Sequence, residues 1–350
     1  MGIRCPIIRK GDDLSRIVID SILRTTEFED KDVIGITESI VARAEGNYVT
    51  VDEVCNDIKN KLDDPETIIL VNPIYSRNRF SMILKAVARA CKNVIIVMPP
   101  FDEVGNPAGV NSFTGVNIRQ YYREIVESEG ATFSAISDIN PILVKRPREG
   151  VNVIYCALHN HKDYSNYHFE FFDNVITLAD ICNDKCEYGL LGSNKANEEL
   201  LKLFPSKKYG QALVEDIQKK VLEKTDKHVS VMIYGDGAFK DPISGIWEFA
   251  DPVVSPAYTK ELNGVPNEIK IKAFADDQFK DLSGKELDEA IKQEIKTKSS
   301  NLVGNMDSQG TTPRRYVDLL GSLMDLTSGS GDKGTPVILV KHYFSNYSEC

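Results

Sequence analysis

The sequence TIILVNPIYSRNRFSMILKAVARACKNVIIVM, residues 67–98, holds two short apolar runs on either side of a segment with helical periodicity. Residues 67–74 predict a short strand, 77–91 a helix and 93–98 a second strand. A strand–helix–strand unit needs a crossover connection, so the two strands are expected to pair in parallel. The stretch therefore predicts an α/β fold with a parallel sheet.

Further elements on the C-terminal side extend this unit. A helix is expected near residues 117–128, and strands are expected near 131–136, 151–158 and 174–178. Residues 66–181 are therefore predicted to form an α/β unit with a largely parallel sheet. The flanking regions predict helices at 12–24, 51–62, 211–225, 285–296 and 312–326, and strands at 32–37, 228–234 and 336–344.

The composition limits the classes of function. The 350 residues are 42% hydrophobic, enough for two domains or for one domain with a large insertion. The net charge of −10 argues against nucleic acid or an anionic membrane as the main partner, so a phosphate site needs local cations. No apolar run approaches the ~20 residues that cross a bilayer, and no signal-peptide pattern opens the chain, so the cytoplasm is expected. The seven cysteines, Cys182 and Cys186 included, are interpreted as free thiols.

The stretch QGTTPRRYVDLLGSLMDLTSGSGDKGTP, residues 309–336, contains several residues that are unfavourable at their local positions. Arg314 and Arg315 fall in the first turn of the predicted helix, where the helix dipole disfavours cations, and Asp325 falls near its end, where anions are disfavoured. Gly321 inside the helix costs roughly 1 kcal/mol relative to alanine. Such clusters are typical of functional sites, and two guanidinium groups at a helix N-terminus suit phosphate or carboxylate.

The end of the same stretch predicts a phosphate cradle. Flexible backbone amides and one ammonium group are supplied by Gly329, Ser330, Gly331, Asp332, Lys333 and Gly334. We predict that Arg314, Arg315 and Lys333 converge on one anion. The pattern GxxxxGK[ST] is absent, so this is not a P-loop, and the alternative is a solvated basic turn with a glycine-rich connection.

A candidate metal ligand lies in YGDGAFKDP, residues 234–242, where Asp236 follows a predicted strand between two glycines. A carboxylate at the end of a strand is a common ligand for Mg²⁺ or Mn²⁺, and the glycines allow a ligand to approach closely. The alternative is a strand-to-loop turn in which Asp236 caps backbone amides.

Three further segments each leave two interpretations open. Residues 189–195, GLLGSNK, suit backbone contact with a ligand or the N-cap of a helix at 196–203. His159 and His161, with His168 downstream, suit a metal site or a polar surface loop. Residues 75–79, YSRNR, suit a second anion pocket at a strand end or surface salt bridges.

Several segments resemble the coenzyme F420-0:gamma-glutamyl ligases, namely CPIIRKGDDL (5–14), ITESIVARAEG (36–46), GSN (192–194) and LFP (203–205). A branch of longer bacterial members is similar over most of the chain and carries YGLLGSNKA, YGDGAFKDP, ADPVVSPAYT, GTTPRR and TSGSGDKGTP nearly as they stand here. The likeness to the short ligases covers 1–65 and 187–350. It implies a ligase-like core in these two segments and an inserted α/β unit at 66–186.

The resemblance implies a two-lobed α/β fold and a homodimer. It implies use of GTP and a divalent metal, with K⁺ as a further candidate ion, to join L-glutamate to a carboxylate through a gamma-glutamyl amide bond. It places nucleotide contacts on Pro6, Ile7, Ile8, Glu38, Ser39, Arg43, Asn194, Gly329, Ser330, Gly331, Asp332 and Gly334.

The same resemblance places metal contacts on Asp236 and on two positions that are altered here. The family has metal ligands where this chain has Leu191 and Gly237, and a lysine where it has Arg43. Asp241, Asp325 and Asp332 are candidates to compensate. Asp325 is preferred because its helix position is otherwise unfavourable.

The leading interpretation is a ligase that depends on GTP or ATP and on Mg²⁺ or Mn²⁺ and that forms an acyl phosphate before the amine attacks. Arg314, Arg315 and Lys333 are the candidate catalytic cations, and the expected partners are a small-molecule carboxylate and L-glutamate. Two alternatives remain open. One is a nucleotide- or phosphometabolite-binding protein without ligase chemistry, which Leu191 favours. The other is a metal-dependent hydrolase that uses His159 and His161.

Overall fold

The structure is a computed structural model of the chain. It describes residues 1–71, 79–98, 100–101, 109–110, 115–137, 151–156, 174–235, 239–240, 247–248, 255–300, 302, 315–328 and 331–349. The predicted mixed α/β class is confirmed over these residues.

Helices and strands alternate along most of the described chain. The helices are α1 (Leu14–Leu23), α2 (Glu38–Glu45), α3 (Val51–Leu62), α4 (Arg79–Ala90), α5 (Ile118–Ser128), α6 (Lys207–Thr225), α7 (Ile271–Ala273), α8 (Gly284–Thr297) and α9 (Tyr316–Ser328). Short 3₁₀ or π turns cover Lys260–Leu262, Phe274–Gln278, Gly331–Lys333 and Tyr347–Glu349. The first eight strands are β1 (Gly2–Ile3), β2 (Val33–Thr37), β3 (Tyr48–Thr50), β4 (Thr67–Val71), β5 (Asn93–Val97), β6 (Thr132–Ile136), β7 (Val151–Tyr155) and β8 (Val175–Thr177). The others are β9 (Asn194–Lys195), β10 (Leu200–Lys202), β11 (Ser230–Tyr234), β12 (Phe239–Lys240), β13 (Trp247–Glu248), β14 (Ala257–Tyr258) and β15 (Val337–Val340).

The first sheet brings together strands from both ends of the chain, in the order β1-β15-β2-β11-β14. The central pair, β2 and β11, is parallel, with Thr37 opposite Tyr234, whereas β15 runs antiparallel to β2. Side chains alternate between two buried faces, as expected for a covered sheet. Ile34 and Ile36 pack with α1 and α6 on one face, and Val33 packs with α9 on the other.

The second sheet is parallel throughout, in the order β6-β5-β4-β7-β8. The chain moves outward from β4 through α4, β5, α5 and β6, and then crosses to β7 and β8 on the other side of β4. The predicted parallel sheet is therefore confirmed. The division of the chain at 66 and 186 stays a prediction.

Helix α3 belongs by sequence to the segment before residue 66, yet it packs on the parallel sheet. Its residues Val54, Ile58 and Leu62 share one buried apolar cluster with α4 and with strands β4, β5 and β10. The helix starts at Val51 because Thr50 and Glu53 form a reciprocal capping box, which satisfies exposed N–H groups of the first turn. Apolar packing thus joins the parallel sheet to the segment that precedes it in the sequence, in addition to the chain connection between them.

Three local expectations differ from the structure. Residues 196–203 are not helical, because Asn194–Lys195 and Leu200–Lys202 form an antiparallel hairpin that also pairs with β3. The last long helix is described from Tyr316, so Arg315 immediately precedes it, while residues 312–314 lie outside the described part. The closing strand covers Val337–Val340, which is shorter than expected. Among the described residues, no helix is both long enough and apolar enough to cross a bilayer.

Gly189 holds the turn between the parallel sheet and the hairpin β9–β10. Its φ angle is +52°, and a Cβ added at this position would lie 2.5–2.6 Å from the carbonyl oxygens of Leu178, Ala179 and Ile181. Backbone oxygens cannot move aside in the way that the end of a flexible side chain can. The position therefore requires glycine for its φ angle and for the space around it.

Replacing Gly189 by alanine is expected to destabilise the protein more than the same change at Gly130. Gly130 has a φ of +86° but no atom within 4 Å of the added Cβ, so its cost is that of φ alone, ~1–2 kcal/mol. Overpacking at Gly189 should add ~1–3 kcal/mol. The free energy of unfolding in urea measures both variants. Equal losses would show that the carbonyl contacts at Gly189 cost nothing.

Candidate functional site

A cavity opens at the carboxyl ends of the parallel strands β2 and β11. Its volume is about 460 Å³. In open α/β sheets, ligands bind at this edge because loops and helix N-termini converge there. The lining residues are Cys5, Pro6, Ile7, Ile8, Thr37, Ser39, Ile40, Arg43, Tyr234, Asp325, Ser328, Gly331, Gly334, Thr335 and Pro336.

Three distant segments of the chain form the walls of this cavity, and hydrogen bonds hold them together. The N-terminal loop is fixed to the segment after α9, since the Cys5 amide donates to the Gly334 carbonyl at 3.1 Å. That segment is fixed in turn to the end of β2, where the Thr37 amide donates to the Pro336 carbonyl at 2.9 Å. The third link joins α2 to the loop. The Arg43 Nε donates to the Ile8 carbonyl at 3.2 Å.

The wall built by α2 favours anions. The helix begins directly after β2, with Thr37 as its N-cap residue, so the amides of its first turn lie near the cavity. Ser39 and Arg43 are four residues apart and both line the cavity, which places a hydroxyl and a guanidinium on one face of the helix. The helix ends at Gly46, which adopts φ +77° where a side chain would be strained.

A second wall, built by the end of α9, favours cations. Asp325 and Ser328 lie in the last turn of this helix and line the cavity, so a carboxylate adds to the negative end of the helix dipole. The Ser328 hydroxyl donates to the Asp325 carbonyl at 2.8 Å, and the Thr335 hydroxyl donates to the Ser328 carbonyl at 2.9 Å. A ligand that carries both an anion and a cation matches these two walls.

A buried polar network lies behind Ser39. The Lys202 ammonium lies 2.7 Å from the Ser39 hydroxyl and 3.2 Å from Glu38 Oε1. The Asn194 side-chain amide donates to the same Glu38 oxygen at 3.2 Å. Asn194 and Lys202 are cross-strand partners in the hairpin β9–β10, which puts both side chains on one face of the hairpin.

Most of the described residues that the sequence assigns to a nucleotide site lie at this cavity. The ones that line it are Pro6, Ile7, Ile8, Ser39, Arg43, Gly331, Gly334 and the predicted metal ligand Asp325. Glu38 and Asn194 lie just behind Ser39. That these residues bind nucleotide and metal stays a prediction.

The predicted catalytic cations are placed differently. Arg315 donates two hydrogen bonds to the Asp318 carboxylate, at 2.7 and 2.9 Å, and this interaction raises the pKa of the guanidinium above its usual value. Lys333 and Asp332 are exposed and do not belong to the described cavity lining, although they lie between Gly331 and Gly334, which do. Arg314, Asp236, Gly329 and Ser330 lie outside the described residues.

The other candidate sites receive little support from the described part of the chain. His159, His161, His168 and residues 75–78 lie outside it. Arg79 is inside it, at the start of α4, where it is buried and donates to the Ser193 carbonyl at 2.9 Å. Over the described ranges, no group of three or more histidine, cysteine or acidic side chains has the geometry of a metal site. Leu191 is packed in the apolar cluster around α3.

The described cysteines are free, in agreement with the sequence. Burial raises the pKa of the Cys182 and Cys186 thiols to about 12, so both remain neutral and unreactive at pH 7. Cys5 lines the cavity, and burial also raises the pKa of its thiol. The cavity therefore receives no thiolate from Cys5 at neutral pH.

The sequence motifs did not single out several residues of the cavity and of the polar network behind it. Thr37 and Tyr234 end the two parallel strands, so the strand ends themselves were the available signal. Lys202 interrupts the apolar run LLKLF, residues 200–204, and a lysine in such a run signals a buried charge with a partner.

The fold and the cavity define a mixed α/β protein with an anion-favouring and a cation-favouring wall at a strand end, an arrangement compatible with ligase chemistry. The family model for F420-0:gamma-glutamyl ligase matches residues 2–342, nearly the whole chain. The chain therefore belongs to the F420-0:gamma-glutamyl ligase family, and this membership identifies it as a ligase. The family's activity implies glutamate and a carboxylate as substrates. A search of curated proteins finds no match to the chain.

Close packing at Gly35 sets the position of the cation-favouring wall. A Cβ at Gly35 would lie 2.0 Å from the sulfur of Met324, which is fully buried and directly precedes Asp325. Because Met324 has no exposed surface into which it can turn, replacing Gly35 by alanine should displace its side chain within the core or move α9, at a cost of ~1–3 kcal/mol of stability. In a Met324→Ala background, urea unfolding should show a cost for Gly35→Ala below about 0.5 kcal/mol. The same cost in both backgrounds would mean that Met324 does not limit the approach of α9.

Proposed function

We propose that this protein is a carboxylate–amine ligase that uses GTP or ATP and a divalent metal to add L-glutamate to a small-molecule carboxylate through a gamma-glutamyl amide bond. Family membership supports the ligase class. The observation that supports the nucleotide and the metal is the cavity, because its two walls have opposite electrostatic character. A metal–nucleotide complex has the same division between anionic phosphates and a cation.

The α2 wall is suited to the phosphates. Arg43 supplies a permanent positive charge and a planar fork of donors, and Ser39 supplies a hydroxyl. Gly331 and Gly334 also line the cavity, and Gly334 has a φ of +64°, which glycine adopts at low cost. A chain with net charge −10 needs such local cations to hold a polyphosphate.

The α9 wall is suited to the metal. Asp325 offers a carboxylate, and Asp236 follows Tyr234, another lining residue, by two positions in the sequence. Mg²⁺ and Mn²⁺ bind oxygen ligands, and one or two protein carboxylates suffice when phosphate oxygens and waters complete the coordination. A bound divalent ion would neutralise phosphate charge and polarise the phosphoryl group. The described residues fit that requirement through Asp325.

The reaction proposed for this site has two steps. The substrate carboxylate, which is the γ-carboxylate of a glutamyl group when the product is a gamma-glutamyl amide, attacks the terminal phosphoryl group, which gives an acyl phosphate and a nucleoside diphosphate. The glutamate amine then attacks the acyl carbon, loses a proton and displaces inorganic phosphate, so that an amide bond forms. Arg314, Arg315 and Lys333 are proposed to stabilise the charge on the transferred group, since such chemistry depends mainly on positioning and on cations.

The remaining expectations belong to the same proposal. They are a cytoplasmic homodimer without nucleic acid partners, K⁺ as an accessory ion, and an inserted unit at 66–186. The proposed inserted unit has no counterpart in the short ligases, so the acceptor carboxylate can belong to a different class of substrate.

One observation favours a second candidate, a nucleotide-binding protein that has lost the chemistry. Leu191 stands where the resemblance places a metal ligand, and the structure packs its side chain in an apolar cluster, where it cannot bind an ion. Tight nucleotide binding without turnover in the presence of glutamate and a panel of carboxylates would favour this candidate. Nucleotide consumption that requires glutamate, with an amide product seen by mass spectrometry, would favour the ligase.

Removing the cations of the site should weaken nucleotide binding. Alanine in place of Arg43, Arg314, Arg315 or Lys333 is expected to cost ~1.5–3 kcal/mol each, the scale of a hydrogen bond to a charged group. Isothermal titration calorimetry measures the affinity. Lys219→Ala is the control, because Lys219 is exposed on α6 and pairs loosely with Glu223 at 3.8 Å. Unchanged affinity in all four variants would place the nucleotide elsewhere.

Metal binding should be weak in the free protein and strong with nucleotide, because the nucleotide supplies part of the coordination. Electron paramagnetic resonance of Mn²⁺ measures both conditions. Asp325→Asn and Asp236→Asn should each reduce Mn²⁺ binding in the presence of nucleotide, whereas Glu223→Gln, an exposed carboxylate change on α6, should not. Wild-type Mn²⁺ binding by both aspartate variants would contradict the assignment.

A further inference from the structure

Lys202 is a buried cation next to the cavity that the proposed chemistry does not use. The residue is 8% exposed, and it is flanked by Leu201 and Leu203, which are fully buried. Burying an ammonium group is costly unless it is paired and hydrogen-bonded. The structure provides both, through Glu38 and Ser39.

The direction of the Lys202–Ser39 hydrogen bond is fixed by chemistry. A lysine ammonium has three hydrogens and no acceptor, so the Ser39 oxygen must accept at the 2.7 Å contact. The serine hydroxyl then keeps its own hydrogen for a different acceptor. Ser39 lines the cavity, so an anion bound there is a candidate for that acceptor.

The neighbours of Ser39 also make the α2 wall a source of hydrogen-bond donors. Lys202 and Asn194 both donate to Glu38 Oε1, which holds the carboxylate in the network behind the wall. Arg43, four residues after Ser39, adds donors on the cavity side. The α2 wall therefore presents hydrogen-bond donors, and a buried positive charge lies one hydrogen bond behind it.

We propose that Lys202 is a positioning residue: it holds the Ser39 hydroxyl as a donor to an anionic phosphate oxygen in the cavity. This inference rests on the proposed nucleotide site and deepens it. Lys202 does not touch the ligand. Its effect on binding passes through the orientation of Ser39, and a merely structural Lys202–Glu38 ion pair would not produce that dependence.

A double-mutant cycle on the full-length protein tests the proposal, with inorganic tripolyphosphate and GTP as separate probes in the presence of Mg²⁺. Ser39→Ala should weaken tripolyphosphate binding about 10- to 100-fold, the scale of one charge-assisted hydrogen bond. With Ser39 present, Lys202→Met should weaken tripolyphosphate binding more than about twofold and by no more than Ser39→Ala does. In the Ser39→Ala background, Lys202→Met should change the affinity by no more than about twofold.

The same cycle distinguishes a positioning role of Lys202 from a role in folding. Lys202→Met removes the buried cation next to Glu38, so urea unfolding is measured for every variant. If Lys202→Met does not fold, the cycle is repeated with Glu38→Gln in all variants, which removes both buried charges together. An equal loss of affinity from Lys202→Met with and without Ser39, or no loss in either case, would overturn the proposal.

The two probes distinguish this inference from the proposed ligase function. Tripolyphosphate binding that shows the expected coupling, without glutamate-dependent consumption of nucleotide, supports the role of Lys202 and overturns the ligase proposal. Consumption of nucleotide with additive effects of the two substitutions supports the ligase and overturns the role of Lys202. A wild-type protein that neither binds tripolyphosphate nor consumes nucleotide overturns both.

Discussion

The parallel pairing of β2 with β11 is the constraint on which the rest of the site depends. Its register puts Thr37 opposite Tyr234, so two segments that are almost 200 residues apart end at the same edge of the sheet. Helix α2 begins at once after β2, and β15 enters on the other side of β2 with Pro336 bonded to Thr37. A shift of one residue in this register would exchange the two faces of β2, and Gly35 would no longer lie under Met324. The strand register, more than any individual side chain, therefore determines where the cavity lies.

Much of the fold could be predicted from the sequence because the apolar patterns are strong. The strand–helix–strand stretch after residue 66 predicted a parallel sheet, and the helices at α1, α3 and α6 follow the predicted periodicity closely. The hairpin β9–β10 was missed for a physical reason. Its two strands have only two and three residues, and they are held by pairing with β3, which lies far away in the sequence. Short strands of this kind carry too little periodicity to be recognised locally.

The site was predictable where the resemblance supplied a motif, and less so where geometry alone decides. Pro6, Ser39, Arg43 and Gly334 come from three separate motifs and line one cavity. Lys202 has no motif, and its place beside Glu38 and Ser39 follows from a cross-strand pair that only the folded chain creates. Arg315 shows the opposite case. The sequence placed this cation unfavourably in the first turn of a helix. In the structure it lies just before that helix and donates to Asp318, so part of the unfavourable interaction with the helix dipole is offset within one turn.

The shared apolar cluster around α3 has a consequence for the proposal that residues 66–186 form an insertion. Val54, Ile58 and Leu62 lie before residue 66, yet they share their apolar cluster with α4 and the parallel sheet. Removing residues 66–186 would expose to water the part of α3 that packs with α4 and the parallel sheet, and a large exposed apolar patch promotes aggregation. The parallel sheet is therefore not a detachable module, because α3 buries part of its apolar surface with it. A shortened variant without residues 66–186 would need polar substitutions on α3 at the same time to avoid aggregation.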